Sequence, residues 1–119
     1  MLVGQSHHFA RKRRGGISWS DLDGENFILR GACEAPRGRL WPESLRMKVT
    51  TRAERDELAI KLVAQGRGIA IAPESLAIDG VIAQPIRGLD ATRSIGLRWR
   101  ADLDSAMLDA AVKSLELAS

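Results

Sequence analysis

Apolar and polar positions follow two different periods along the chain, and the sharpest switch between them falls in residues 57–73. Leu58, Ala59, Leu62 and Val63 recur at helical spacing and make one apolar stripe, with Glu57 and Lys61 paired on the solvent side. Gly66 stands where a left-handed residue closes a helix. Ile69, Ala70, Ile71 and Ala72 then run apolar without interruption, as in a strand covered on both faces, and Pro73 stops the run. Helix, glycine turn, buried strand and proline stop in succession make one αβ step of an α/β lobe. Ahead of it, Thr51-Arg52-Ala53-Glu54 has the spacing of a capping box, in which the Thr51 hydroxyl and the Glu54 carboxylate satisfy reciprocal backbone donors. A helix is therefore expected from Arg52, preceded by a strand in Met47-Lys48-Val49-Thr50-Thr51.

The remaining pattern is less regular. Leu2, Val3 and Gly4 read as a short strand, and the basic run Arg11-Lys12-Arg13-Arg14 followed by Gly15-Gly16 breaks what comes next. Residues 17–24 read as a connection with one helical turn, capped by Ser20 and favoured by Asp21 and Asp23 at its positive end. A short apolar strand follows over residues 26–30. Gly31, Pro36, Gly38 and Pro42 leave residues 31–46 room for at most a short helix. Residues 81–86 predict a strand whose Pro85 marks a sheet edge, and residues 94–100 another, bent at Gly96. Asp104 caps a last helix that would turn Met107, Leu108, Ala111, Val112 and Leu115 inward.

At 119 residues and 13.0 kDa the chain can bury one modest core and no more. No apolar run approaches the roughly 18 residues of a membrane span. The net charge is +3, and the four cations of residues 11–14 exceed it, so everything else sums to −1 (3 − 4) and the basic character is an arm. Cys33 is a lone cysteine and no apolar leader follows Met1, which makes the cytoplasm the expected location. Nucleophile elbow, Walker and HExxH patterns are missing and the chain has no tyrosine, so neither an enzyme nor a cofactor is expected and no residue is catalytic. His7 and His8 are adjacent without a further ligand at metal spacing, which reads as a solvated turn with ordinary titration and no metal. Gly66-Arg67-Gly68 follows a helix and precedes a strand, the reverse of a dinucleotide fingerprint, and reads as a turn.

Residues 63–76, the segment Ile95-Gly96-Leu97-Arg98-Trp99-Arg100 and the segment Asp21-Leu22-Asp23-Gly24-Glu25-Asn26-Phe27-Ile28-Leu29 together resemble the effector-binding region of LysR-type transcriptional regulators. The resemblance implies an α/β fold like the type 2 periplasmic binding proteins, with two lobes, each a mainly parallel sheet flanked by helices, and a small molecule held between them. On that template residues 1–24 are the end of the first lobe and the crossover, 25–95 the second lobe, and 96–119 the return segment and C-terminal helix. The first lobe is then largely missing. A whole regulator of this kind is longer and begins with a helix-turn-helix, so the chain is expected to be its C-terminal part, a homo-oligomer that reaches DNA only through the absent part. Residues 31–46 depart from the family by being shorter and richer in breakers.

Ligands of open α/β sheets bind beyond the carboxyl ends of the strands. Here those points are residues 30–33, 50–53 and 73–75, which gives Arg30, Gly31, Cys33, Thr50, Thr51 and Pro73 as effector-binding candidates. Thr50 and Thr51 lead, because the resemblance implies hydroxyl or small polar residues at that turn and a helix N-terminus favours a carboxylate by about 0.3–1 kcal/mol. An acidic small molecule is the expected effector. Thr51 reads equally well as a plain helix cap, and the two roles are compatible. The planar fork of Arg30 could grip an effector carboxylate or be a solvated strand-end charge. Cys33 could sense oxidants or fill a small apolar space. The arm 11–14 could touch DNA phosphates or simply be a solvated connector. A stand-alone or vestigial solute-binding lobe without a DNA-linked role is the competing function.

Overall fold

The structure, a computed structural model, describes residues 1–11, 15–31, 42, 44–90 and 97–118. Strand β1 (Leu2–Gly4) pairs antiparallel with β4 (Val81–Ala83), and β2 (Asn26–Arg30) pairs parallel with β3 (Lys48–Ala53). Ile69 and Ala70 join the two ladders. The Ile69 N–H donates to the Asn26 carbonyl at 2.8 Å and its carbonyl accepts from the Ile28 N–H at 2.9 Å, while Ala70 exchanges two bonds of 2.8 and 3.1 Å with Leu2. The spatial order is therefore β4, β1, residues 69–70, β2, β3. The strand expected over residues 69–72 is thus cut to two paired residues, because the Ile71 carbonyl is turned to the Arg30 guanidinium, 3.5 Å away. β1 runs against both its neighbours, while β4, residues 69–70, β2 and β3 all run the same way.

Side chains alternate across this assembly as strand geometry requires. Val3, Phe27 and Ile69 point to one face, where they meet Phe9, Ile17, Leu22 and Ile86. Leu2, Ile28 and Ala70 point to the other, against helix α1 (Asp56–Ala64) through Ala59, Ile60 and Val63. The helix begins four residues later than expected. The capping box of Thr51 and Glu54 does not form, since parallel pairing with β2 carries β3 as far as Ala53 opposite Arg30. Arg55 takes the N-cap position without a side-chain hydrogen bond, and Asp56 and Glu57 occupy the first turn. The stripe is rotated accordingly: Ile60 is buried and Leu58 lies in solvent, half exposed at 52%.

The end of α1 matches its sequence. Gly66 has φ +73°, its N–H bonds the Val63 carbonyl, and the Arg67 N–H bonds the Leu62 carbonyl, the paired pattern of a Schellman ending. Gly68 then lets the chain enter between the strands, because a Cβ there would stand 2.6 Å from the Asn26 carbonyl oxygen.

On the opposite face, a 3-10 turn (Trp19–Leu22) is capped by Ser18 rather than by Ser20. The Ser18 hydroxyl accepts from the Asp21 N–H at 3.3 Å and the Asp21 carboxylate accepts from the Ser18 N–H at 3.0 Å, which drives Leu22 into the core. Of the strand expected over residues 81–86, β4 keeps Val81–Ala83; beyond it the Pro85 carbonyl accepts from the Ile17 N–H at 3.0 Å and Ile86 bridges to Ile17. Of the strand expected over residues 94–100, residues 97–100 are exposed and irregular, and 94–96 lie outside the described residues.

Helix α2 (Ser105–Ala118) forms, with the Asp104 carboxylate accepting from the Ala106 N–H. Its Met107, Val112 and Leu115, expected to face inward, are exposed, since α1 and the 3-10 turns already cover the two faces of the sheet. Among the described residues no helix is long and apolar enough to cross a membrane.

Candidate functional site

Three chain segments run in parallel, β2, β3 and residues 69–70, and their carboxyl ends finish along one margin beside the first turn of α1. Arg30 ends β2 there. It is neither a solvated charge nor an open anchor: its side chain is 6% exposed, and its Nε and second terminal nitrogen donate to the two carboxylate oxygens of Asp56 at 2.7 and 3.0 Å. The other terminal nitrogen points to the Ile71 carbonyl. A guanidinium matches a carboxylate in this forked way because both are planar with two contact points at equal spacing. Gly31 continues the margin, its N–H bonded to the Ala53 carbonyl at 2.8 Å and its Cα so close to Glu54 that a Cβ would meet that backbone at 3.1 Å. Pro73, half-buried, precedes the 3-10 turn Glu74–Leu76 two residues beyond Ile71.

The two threonines sit elsewhere than expected. The ladder passes from Phe27 opposite Val49 to Ile28 opposite Thr51, so Thr50 is the extra residue of a bulge. Its hydroxyl donates to the Phe27 carbonyl at 3.4 Å. Thr51 faces Ile28 inside β3 and caps nothing. The margin therefore gathers Arg30 and Gly31 with Pro73 close by, and leaves Thr50 and Thr51 back along β3. Cys33 lies outside the described residues.

The acidic effector expected from the sequence loses both of its supports. The α1 N-terminus carries Asp56 and Glu57 in its first turn, with exposed Glu54 just before it, and these carboxylates offset the positive end of the helix dipole. The Arg30 fork is filled by Asp56. Asp56 is the participant that sequence reasoning missed, and the signal was available: once β3 is allowed to run to Ala53, Asp56 and Glu57 are the acidic pair that marks a helix start.

A family model described as the LysR substrate binding domain matches residues 1–117. The chain belongs to that family. Regulators, rather than enzymes, carry LysR substrate-binding domains, and a small α/β fold is what the chain shows. No curated protein matches the chain.

Two further features of this LysR domain lie on the face opposite α1. Trp19, Ser20, Asp23, Pro42, Ser44 and Leu45 line an open recess of about 390 Å³, where one Asp23 carboxylate oxygen accepts from the Arg46 N–H. The other feature corrects the reading of His7 as part of a solvated turn, while His8 stays exposed. Their Nε2 atoms stand 3.4 and 2.9 Å from the two carboxylate oxygens of Glu25, and their rings stack with centroids 4.3 Å apart. His7 is largely buried, and burial first, then the neighbouring His8, push its pKa down, against the pull of Glu25 upward. Glu25 is 17 residues from His8 (25 − 8), a spacing that no local motif encodes, and only the fold closes it.

Proposed function

We propose that the chain is the effector-sensing part of a LysR-type transcriptional regulator, with the effector held at the margin where β2, β3 and residues 69–72 end. The observation that carries this reading is the convergence of those ends on the Arg30–Asp56 pair, beside the exposed first turn of α1, in a chain that belongs to the LysR substrate-binding family. In the two-lobed arrangement of type 2 binding proteins, residues 25–95 are the second lobe, residues 1–24 the end of the first lobe with the crossover, and residues 96–119 the return to the first lobe. The exposed Met107, Val112 and Leu115 on α2 suit a helix whose packing surface belongs to that first lobe. Effector binding changes how the lobes close and so biases a cytoplasmic homo-oligomer bound to DNA through its helix-turn-helix part.

The effector that suits this margin is a small polar molecule that carries hydrogen-bond donors for the carboxylates of Glu54 and Asp56, since a carboxylate ligand gains Arg30 only by displacing Asp56. Thermal melts with a panel of small amines, amides and carboxylates test it. A ligand at about 100 times its Kd stabilises a one-site protein by about 2.7 kcal/mol. The expected outcome is a shift with donor-bearing ligands that shrinks in Asp56→Asn. A panel without any shift, or a shift indifferent to Asp56→Asn, places the effector elsewhere.

A further inference from the structure

His7, His8 and Glu25 bring three potential ligand atoms within 4.8 Å of one another, the composition of a transition-metal site. One hydrogen bond speaks against that use. The Phe9 backbone N–H donates to His7 Nδ1 at 3.1 Å, so that nitrogen must carry a lone pair. A neutral imidazole then bears its proton on Nε2, the atom aimed at Glu25. Metal binding through Nε2 would need the opposite tautomer, with a proton on Nδ1 pressed against the Phe9 N–H.

The same geometry makes His7 a group that can accept a proton at one atom only, and at a cost. We propose that His7 is a proton-operated release for the turn after β1: taking a proton from solvent on Nδ1, it gives up the Phe9 N–H and frees the 3-10 turn His8–Ala10 from its cap. Phe9 is the side chain this turn delivers to the core beside Val3, Ile17 and Phe27, so the release loosens one wall of that core. The charged groups that bear on His7 are His8 on its own turn and Glu25 from the connection into β2. His8 is exposed and shares the one Glu25 carboxylate with His7. Burial disfavours the charged form of His7, which sets the release below the ordinary histidine range. This inference stands apart from the effector reading.

The test is hydrogen exchange of the Phe9 amide in the whole chain at pH 7.5 and pH 5, corrected for intrinsic exchange, together with imidazole nitrogen shifts of His7. The expected result is an unprotonated Nδ1 at pH 7.5 and a loss of Phe9 protection of about tenfold at pH 5, the scale of one hydrogen bond. The variant His7→Asn keeps a side-chain acceptor that does not titrate, and its Phe9 amide is expected to stay protected at both pH values. Protection that is independent of pH in the wild type, or an equal loss in His7→Asn, overturns the proposal. So does zinc that shifts the His7 and His8 resonances together at neutral pH, since it would show the other tautomer is open. If His7→Asn does not fold, the wild-type tautomer and its titration decide the matter alone.

Discussion

Arg30 and Asp56 grip each other through two nitrogen–oxygen bonds of 2.7 and 3.0 Å, and so fasten the end of β2 to the first turn of α1. The pair is unequal, with Arg30 almost wholly buried and Asp56 31% exposed. Losing Asp56 strands a cation that water cannot reach, whereas losing Arg30 leaves a carboxylate that water partly solvates. Asp56→Leu is expected to cost about 2–3 kcal/mol, below the roughly 3–5 kcal/mol of a fully buried pair, and Arg30→Met less. The double variant Arg30→Met with Asp56→Leu should recover most of the loss. Denaturant melts of the three variants in a double-mutant cycle check this, and simple additivity would mean the pair contributes nothing as a pair.

Acidification should destabilise the chain in part through His7. Its folded pKa lies below the unfolded value of 6.5, so the stability that depends on neutral His7 is whole above about pH 6.5 and is lost as the pH falls from there through the lower, folded pKa. The fall in Tm between pH 7.5 and pH 5 is expected to be smaller in His7→Asn than in the wild type. Matching slopes would assign the acid sensitivity to carboxylates alone.

The glycines of the turn after α1 should separate by mechanism. Gly66 sits in open space at φ +73°, so Gly66→Ala is expected to cost about 1–2 kcal/mol for the left-handed backbone. Gly68→Ala drives a methyl group into the Asn26 carbonyl at the centre of the sheet and should cost about 3 kcal/mol or more. Chemical denaturation of the two variants ranks them, and the reverse order would contradict the seat of residues 69–70 between β1 and β2.

Ser18→Ala should cost about 1 kcal/mol and Ser20→Ala little, because only Ser18 caps the Asp21 N–H. Polar replacements on α2 such as Leu115→Ser are expected to leave the melting of this chain within about 0.5 kcal/mol, as for other exposed positions. A large loss in Leu115→Ser would mean the helix packs on something.

The parts of the fold that follow from neighbouring residues were legible in the sequence. Gly66 closes α1 as its local chemistry requires, Ile69 and Ala70 are buried on both sides as an unbroken apolar run implies, and Asp104 caps α2. What failed was decided by distant partners. Thr51 and Glu54 have the spacing of a cap, but β2 offers backbone partners as far as Ala53, and pairing overrides the local signal. Arg30 could not be read without Asp56, nor His7 without Glu25, since each pair is made by tertiary placement. The apolar stripe of α2 is legible as a stripe, but periodicity says which side is greasy and not what lies against it.

Ile69 and Ala70 are the only link between the two ladders among the described residues, and they come late, after both β2 and β3. Among the described residues β1 and β2 are joined through residues 69–70 alone, and β4 returns to pair with β1. Such a topology loads the folding barrier with long loop closures, so the chain should fold slowly for its size, with its rate set at the middle plank rather than at either helix. Swapping Ile69 for valine would then slow folding, while trimming Leu58 would leave the rate alone.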